Sequence, residues 1–417
     1  MDAQERGARH RQLQLFLEVG IVVVGEPRRI RFFLAFLGRL GAVQRESIVP
    51  RAGWQGKVEA LGLSYHTIAG DTYWDEAACY RFSAAEVDKL EEATAELHQR
   101  ALEAVGRVVD KGDFSRFQIP AAFHELVVRS WKDREPSLYG RMDLSWDGNG
   151  EPMLLEYNAD TPTALLEASV IQWYWMQDVK ASADQFNSIH EKLIERWKAM
   201  RRALPADGRV YFAADLESLE DSGNLDYLRD TALQAGLDPA AIAVDDIGWD
   251  GARFVDLEGR NMAALFKLYP WEWLVREAFG PHLLRGAMRL IEPPWKMLLS
   301  NKAILPVMWE MFPGHPNLLA ASFEPGRFTT DFVKKPLYSR EGANVSITTA
   351  DTVIDVGGDY GEEGFIWQAY HGLPRFGDRY AVIGSWLVGD DPAGIGIRED
   401  ASPVTRDTSR FVPHYFT

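Results

Sequence analysis

The residues best suited to chemistry lie in one short run, Arg141-Met-Asp-Leu-Ser-Trp-Asp-Gly-Asn-Gly-Glu-Pro-Met-Leu-Leu-Glu-Tyr-Asn158. Asp147-Gly-Asn-Gly150 is a reversal signal between two extended stretches. Side chains alternate along a strand, so Arg141 and Asp143 share one face of the first strand. Glu156 and Asn158 likewise share a face of the second, with Met153, Leu155 and Tyr157 expected on the opposite, packed side together with Met142 and Leu144. Asp143, Glu156 and Asn158 are hard oxygen donors, the set that suits Mg2+ held against substrate phosphates. Arg141 could meet a phosphoryl or carboxylate oxygen in bidentate fashion. A solvated hairpin with an Arg–Asp surface pair fits the same residues, and local chemistry leaves both readings open.

Mg2+ needs a phosphate-bearing partner, and the second half of the chain supplies basic candidates. Lys302 lies in Ser-Asn-Lys-Ala-Ile-Leu-Pro, and Lys334 and Lys335 end the run Phe332-Val-Lys-Lys-Pro336. Alternation turns only one of that pair toward a given site. Tyr338-Ser-Arg-Glu-Gly-Ala-Asn-Val345 follows, a loop whose backbone N–H groups could meet phosphate oxygens around Gly342. No Gly-x-x-x-x-Gly-Lys-Ser/Thr element is present, so this is not a P-loop. A basic turn with Arg340 and Glu341 paired is an equal alternative. Asp391-Pro-Ala-Gly-Ile-Gly-Ile-Arg-Glu399 is a further glycine-rich segment delivering Arg398, suited to a carboxylate or a developing acyl phosphate, or to a tight turn with a solvated arginine.

These residues need a large scaffold, and 417 residues with 46% apolar content can build one. Ser83-Ala-Ala-Glu86 is a capping box that should open a helix reaching about Val109, with Val87, Leu90, Leu97 and Ala101 on its apolar face. Further helices are expected over 163–176, about 185–200 and 224–235. Strands are expected at Arg209–Ala213 and Ala241–Val244, making a β-α-β-like unit whose connection has too few glycines for a dinucleotide loop. Apolar bursts at 261–268, 331–335, 345–347, 364–369 and 380–388 read as strands of a mixed sheet. Residues 1–44 are rich in arginine, with a short apolar run at Phe32–Leu37 that falls well below a membrane span, and read as a basic, amphipathic extension.

Composition removes several functions. The formal charge is −16, and no basic stripe suited to a nucleic-acid backbone is evident. An acidic field could attract a cationic substrate such as a polyamine, although solubility explains it equally. The single cysteine, Cys79, rules out a disulfide framework or cysteine-based metal site within the chain and makes a cytoplasmic setting the default. Its acidic neighbours make a buried thiol the simpler expectation than a nucleophile.

Taken together, Arg141–Asn158, Glu292-Pro-Pro-Trp-Lys296, Leu299-Ser-Asn-Lys302-Ala-Ile-Leu-Pro, Phe332-Val-Lys-Lys-Pro-Leu with Arg340-Glu-Gly-Ala-Asn-Val, and Ala393-Gly-Ile-Gly-Ile-Arg-Glu resemble the synthetase domain of glutathionylspermidine synthase and its stand-alone acid–amine ligase relatives. The likeness covers about residues 48–417. It implies an α/β (α+β) ATP-grasp-like fold with rearranged strand order, in which mixed and antiparallel sheets pack with helices. Residues 205–290 would form a substrate or pre-ATP-grasp part and 291–417 the nucleotide-binding part. By the same resemblance Asp143, Glu156 and Asn158 match Mg2+ ligands, and Arg141 a catalytic arginine beside the γ-phosphate of ATP. Lys302 and one of Lys334 and Lys335 match nucleotide-binding lysines, Arg340, Glu341, Gly342, Ala343 and Asn344 a mobile phosphate-covering loop, and Arg398 a catalytic arginine over the acyl group. Gln368 falls where adenine is usually held.

The implied activity is ATP-dependent ligation of a small-molecule carboxylate to an amine through an acyl phosphate, with no nucleic-acid or membrane partner. Glutathione and spermidine are candidate substrates. A kinase using the same Mg2+–ATP site and a silent binding module are the alternatives. The amidase of the bifunctional synthase is not expected in this chain, because Cys79 does not match its nucleophile.

Overall fold

A computed structural model describes residues 43–406 and 408–417, so the extension expected over residues 1–44 lies outside the described residues up to 42, while Val43 is buried and Gln44 opens a strand, Gln44–Ser47, paired with Ala78–Phe82. Val43–Thr417 forms one compact unit. Its backbone is a six-stranded antiparallel sheet in which the hairpin strands Tyr139–Ser145 and Met153–Asn158 continue through Arg379–Val388 and Asp391–Asp400 to Arg410–Val412. Arg375–Phe376 adds to the third of these strands. The hairpin is therefore fused to residues nearly 250 positions away in sequence, and its register is set from both sides.

The β-α-β unit is real and larger than expected. Strand Arg209–Ala214 pairs in parallel with Asp238–Ala243 on one side and Ala264–Leu268 on the other, with Arg289–Ile291 beyond. The stretch expected at 261–268 thus joins this parallel sheet and the one at 380–388 the six-stranded sheet, apart from the strands expected at 331–335, 345–347 and 364–369. Those form an antiparallel sheet ordered Ala321–Ser322, Phe365–Ala369, Phe332–Pro336, Ser346–Thr348 and Val353–Asp355. Parallel and antiparallel sheets coexist with packed helices, as the fold expectation required.

The capping box forms as read: Ser83 Oγ accepts from Glu86 N, and the helix runs Ala84–Lys111 with Val87, Leu90, Leu97 and Ala101 buried. Two other helices begin later than their sequence suggested. Ala164 takes φ 64°, so helix starts only after it and then passes through a π-helical turn, Glu167–Ile171, into Gln172–Val179. Asp184 and Asn187 bridge to Phe416 and Gly394, which delays the next helix to Ile189–Met200. The helix after the first parallel strand starts earlier, at Leu219, because Ser218 caps it by accepting from Asp221 N. The segment around Arg398 was open to reading as a tight turn; it is strand Asp391–Asp400. Its glycines provide close approach there, since a Cβ on Gly396 would lie 2.7 Å from the Phe411 ring. Among the described residues no helix is long and apolar enough to cross a membrane.

Candidate functional site

The hairpin register places Arg141 opposite Asn158 and Asp143 opposite Glu156. Met142 and Tyr157 face each other on the other side and are buried. One detail departs from simple alternation. The register shifts after Asp143, so Leu144 pairs with Leu154 and Leu155 is an extra residue, a β-bulge. Leu154, not Leu155, is therefore the fully buried residue, while Leu155 lines the cavity. The bulge has a chemical use: the Leu155 carbonyl accepts from Lys335 Nζ at 2.8 Å.

The Arg–Asp pair is buried, not on the surface. Arg141 Nε donates to Asp143 Oδ1 at 2.7 Å, and Arg398 Nη2 donates to Asp143 Oδ2 at 2.9 Å. Arg398 reaches across from the strand beyond Arg379–Val388, where it stands opposite Val382. Gly384, on the intervening strand, leaves room for the Arg141 side chain, because a Cβ there would meet Arg141 Cδ at 2.8 Å. Thr163 O accepts from Arg141 Nη1, so the guanidinium is fixed on two sides.

Glu156 faces two lysines. Lys302 Nζ lies 3.3 Å from Glu156 Oε2 and donates to Ser339 O at 2.9 Å. Burial would raise the Glu156 carboxyl, but the charges of Lys302, Lys335 and Arg141 outweigh it and hold the group at about 2. Burial lowers Lys335 to about 8, with Glu156 pulling it back upward and Lys302 pushing it further down. Lys335 also donates to Gln368 Oε1 at 2.7 Å.

A cavity of about 350 Å³ opens between these groups. Its walls include Arg141, Asp143, Glu156, Asn158, Lys302, Lys335, Arg340, Glu341, Gly342 and Arg398. Four residues singled out from the sequence do not line it. Lys334 turns to the other face of its strand, with Nζ 3.8 Å from the centre of the Phe365 ring. Ala343 and Asn344 belong to the loop but do not reach the cavity, and Asn344 Oδ1 instead accepts from Tyr360 N. Gln368 is buried beneath Lys335, so its contact with the site is indirect. Arg340 spans the cavity rather than closing a local turn: it donates to Thr161 Oγ1 at 2.6 Å and Glu272 Oε1 at 3.3 Å.

Sequence reasoning missed part of the wall. Asp160, Thr161, Thr163, Asp221, Glu272 and Trp273 all line the cavity. Burial, followed by the charges of Glu220 and Asp215, lifts the Asp221 carboxyl to about 7.

Mg2+ makes its own demands on the donor set. Among the described residues no group of three or more His, Cys, Asp or Glu is placed to hold a metal ion. Asp143 and Glu156 with the Asn158 amide supply an incomplete oxygen set. Such a set fits a Mg2+ that completes its shell with substrate phosphate and water.

A model of the family described as "Glutathionylspermidine synthase preATP-grasp" matches residues 45–417. The chain belongs to the glutathionylspermidine synthase family. A relative named putative acid–amine ligase, from Haemophilus influenzae, is 41% identical over 373 residues, covering 85% of this chain and 95% of that protein. Trypanothione synthetase of Crithidia fasciculata is 30% identical over 350 residues, 76% of this chain and 53% of that one. The bifunctional glutathionylspermidine synthetase/amidase of Escherichia coli is 28% identical over 80% of this chain and 58% of its own length. This family member thus spans little more than half of those two larger relatives. A glutathione synthetase-like effector from Globodera pallida superposes with a TM-score of 0.53 at 10% identity, covering 88% of this chain and 96% of that one, which supports the ATP-grasp-like fold alone. Family and fold together support acid–amine ligase chemistry of the ATP-grasp type.

Proposed function

We propose that this family member is an ATP-dependent ligase that joins a small-molecule carboxylate to an amine through an acyl phosphate. The observation that carries the reading is one cavity walled by Lys302 and Lys335 beside an ionised Glu156, with Arg141 and Arg398 converging on Asp143. Lysines beside a carboxylate suit triphosphate and Mg2+ together, while paired arginines suit a carboxylate and the acyl group made from it.

In this reading Lys302 and Lys335 hold phosphate oxygens, and the loop at Arg340–Gly342 covers them. Asp143, Glu156 and Asn158 would hold Mg2+, which offsets charge on the phosphates when bound. A substrate carboxylate oxygen attacks the γ-phosphorus, the bond to the β-phosphate oxygen breaks, and ADP leaves. The amine nitrogen then attacks the acyl carbon, its proton is lost, and phosphate leaves as the amide forms. Arg398 stabilises the oxyanion that develops on the way. Exclusion of water by the loop protects the acyl phosphate from hydrolysis.

For substrates, we propose a peptide or glutathione-like acid and a polyamine-like amine in a cytoplasmic setting. Support comes from the names of the relatives and from the −16 charge, with Asp221 and Glu272 on the cavity wall. Cys79 supports no hydrolase, since burial pushes its thiol up to about 12. The test is amine-dependent ADP release, screened over acids and polyamines with mass detection of the product. An amide is expected; a phosphorylated acid or amine with no amide would replace the ligase by a kinase, and no ATP turnover with any pair would contradict both.

A further inference from the structure

Arg340 leaves its loop to grip the opposite wall of the cavity, and its two acceptors come from separate chain segments. Thr161 follows the hairpin, and Glu272 belongs to the short helix Trp271–Leu274. The residue before each acceptor is joined to its counterpart. Asp160 Oδ2 accepts from Trp271 N at 2.9 Å, while Asp160 Oδ1 accepts from Lys267 Nζ. Lys267 also donates to Tyr269 O at 3.1 Å. Asp160 and Lys267 are 1% and 0% exposed, so this junction is dry and fixed. Thr161 and Glu272 therefore face Arg340 at a spacing set by a carboxylate that never touches it. Trp273 completes the notch, with its ring centre 5.6 Å from the guanidinium carbon.

We infer that Asp160 is a positioning residue: through Trp271 and Lys267 it builds the notch that receives Arg340, and so controls closure of the loop at residues 338–345. The contact is specific, because one guanidinium can satisfy Thr161 Oγ1 and Glu272 Oε1 together only while the two segments stay in register. The loop itself is set for one closed pose. Gly342, at φ 70°, packs so closely on residues 404–405 that a Cβ would lie 2.5 Å from Val404 Cγ1. Among the described residues, Ser339 Oγ and Arg340 Nε are buried with no hydrogen-bond partner at the cavity edge. The catalytic consequence rests on the ligase reading; the positioning does not.

Asp160→Asn separates the two contacts. An amide has one acceptor oxygen, so either Trp271 N or Lys267 Nζ must face the NH2 group. Hydrogen exchange of the loop, followed by mass spectrometry in nucleotide-free full-length protein, reads closure without any need for turnover. Thr161→Val, which removes a direct contact, should speed exchange over 338–345 by about tenfold, the loss expected for a hydrogen bond to a charged group. Asp160→Asn should do the same from a distance. Wild-type exchange in Asp160→Asn beside faster exchange in Thr161→Val would overturn the proposal. If Asp160→Asn fails to fold, Arg340→Met serves instead: coupling is reciprocal, so the amides of 271–274 should exchange faster, and unchanged exchange there overturns it. With an active pair of substrates, Asp160→Asn should also raise the ADP formed per amide. If wild-type protein makes no amide while the exchange results hold, the ligase reading fails and the positioning role stands.

Discussion

Arg398 Nη2 and Asp143 Oδ2 lie 2.9 Å apart although 255 residues separate them, and Arg141 holds the other oxygen of the same carboxylate. One buried acid thus aligns two guanidiniums at the edge of the cavity. This makes Asp143 more than a candidate metal ligand. Removing its charge would take away the carboxylate that the two arginines share, leaving Glu156 to offset Arg141 from further away.

Asp143→Asn is therefore expected to lower kcat by at least about 100-fold, and Arg398→Lys by a comparable factor. The two should differ in binding. Arg398→Lys leaves the phosphate-holding lysines in place, so the KM for ATP should change little. Steady-state kinetics of ADP release, with circular dichroism as the check on folding, separates these effects. A large rise in the KM for ATP in Arg398→Lys would remove it from the acyl position.

Lys334 and Lys335 are adjacent but face opposite sides of their strand. Lys335→Met should raise the KM for ATP by about 10- to 100-fold, the range for losing a hydrogen bond to a charged group. Lys334→Met should stay within about twofold, as for other substitutions away from a site. Equal effects would mean that the cavity assignment of Lys335 is wrong.

Burial brings Lys335 to about 8, so in the free protein its charge is lost as pH rises through that value. ATP affinity should fall above pH 8 in wild-type protein. Lys335→Arg stays charged and should flatten that fall. The sign for stability is opposite. Below the folded-state value the buried ammonium must be kept charged at a cost, so this residue's contribution improves as pH rises from about 8 toward the ordinary lysine value of about 10.4. Calorimetric binding measured across this range checks the first statement, and denaturant titration the second.

Glu156 behaves in the acid range as a depressed carboxylate, ionised down to about 2. Its contribution to stability is fully present above the unfolded-state value of about 4.3 and is lost as pH falls toward 2. Glu156→Gln should remove that part of the pH dependence, so the stability difference between wild type and variant should shrink on acidification through this window. Denaturant midpoints at several pH values test it. A difference independent of pH would show that Lys302 and Lys335 do not hold the carboxylate charged.

Much of the site was legible where the relevant forces are local. Asp147-Gly-Asn-Gly150 and period-two alternation were enough to put Arg141, Asp143, Glu156 and Asn158 on one face. They were not enough to reveal the bulge at Leu155, because an inserted residue is defined by its partner strand. Arg398 was found, but its segment had the glycine content of a turn. The close approach of Phe411 to Gly396, and of Phe186 O to Gly394, explains why glycines stand within that strand. Thr161 and Glu272 carried no sequence signal at all, since their chemistry depends on Arg340, 179 and 68 residues away. The β-α-β unit was visible from its apolar runs, whereas its extension by Ala264–Leu268 depended on non-local pairing.

The most direct test of the central claim follows oxygen. An acid substrate labelled with oxygen-18 in its carboxylate is incubated with ATP and amine, and the released phosphate is analysed by mass. Attack of that carboxylate on the γ-phosphorus predicts one labelled oxygen in each phosphate released with amide. Amide formation with unlabelled phosphate would contradict the acyl-phosphate route and, with it, the roles of Arg141 and Arg398 in that route.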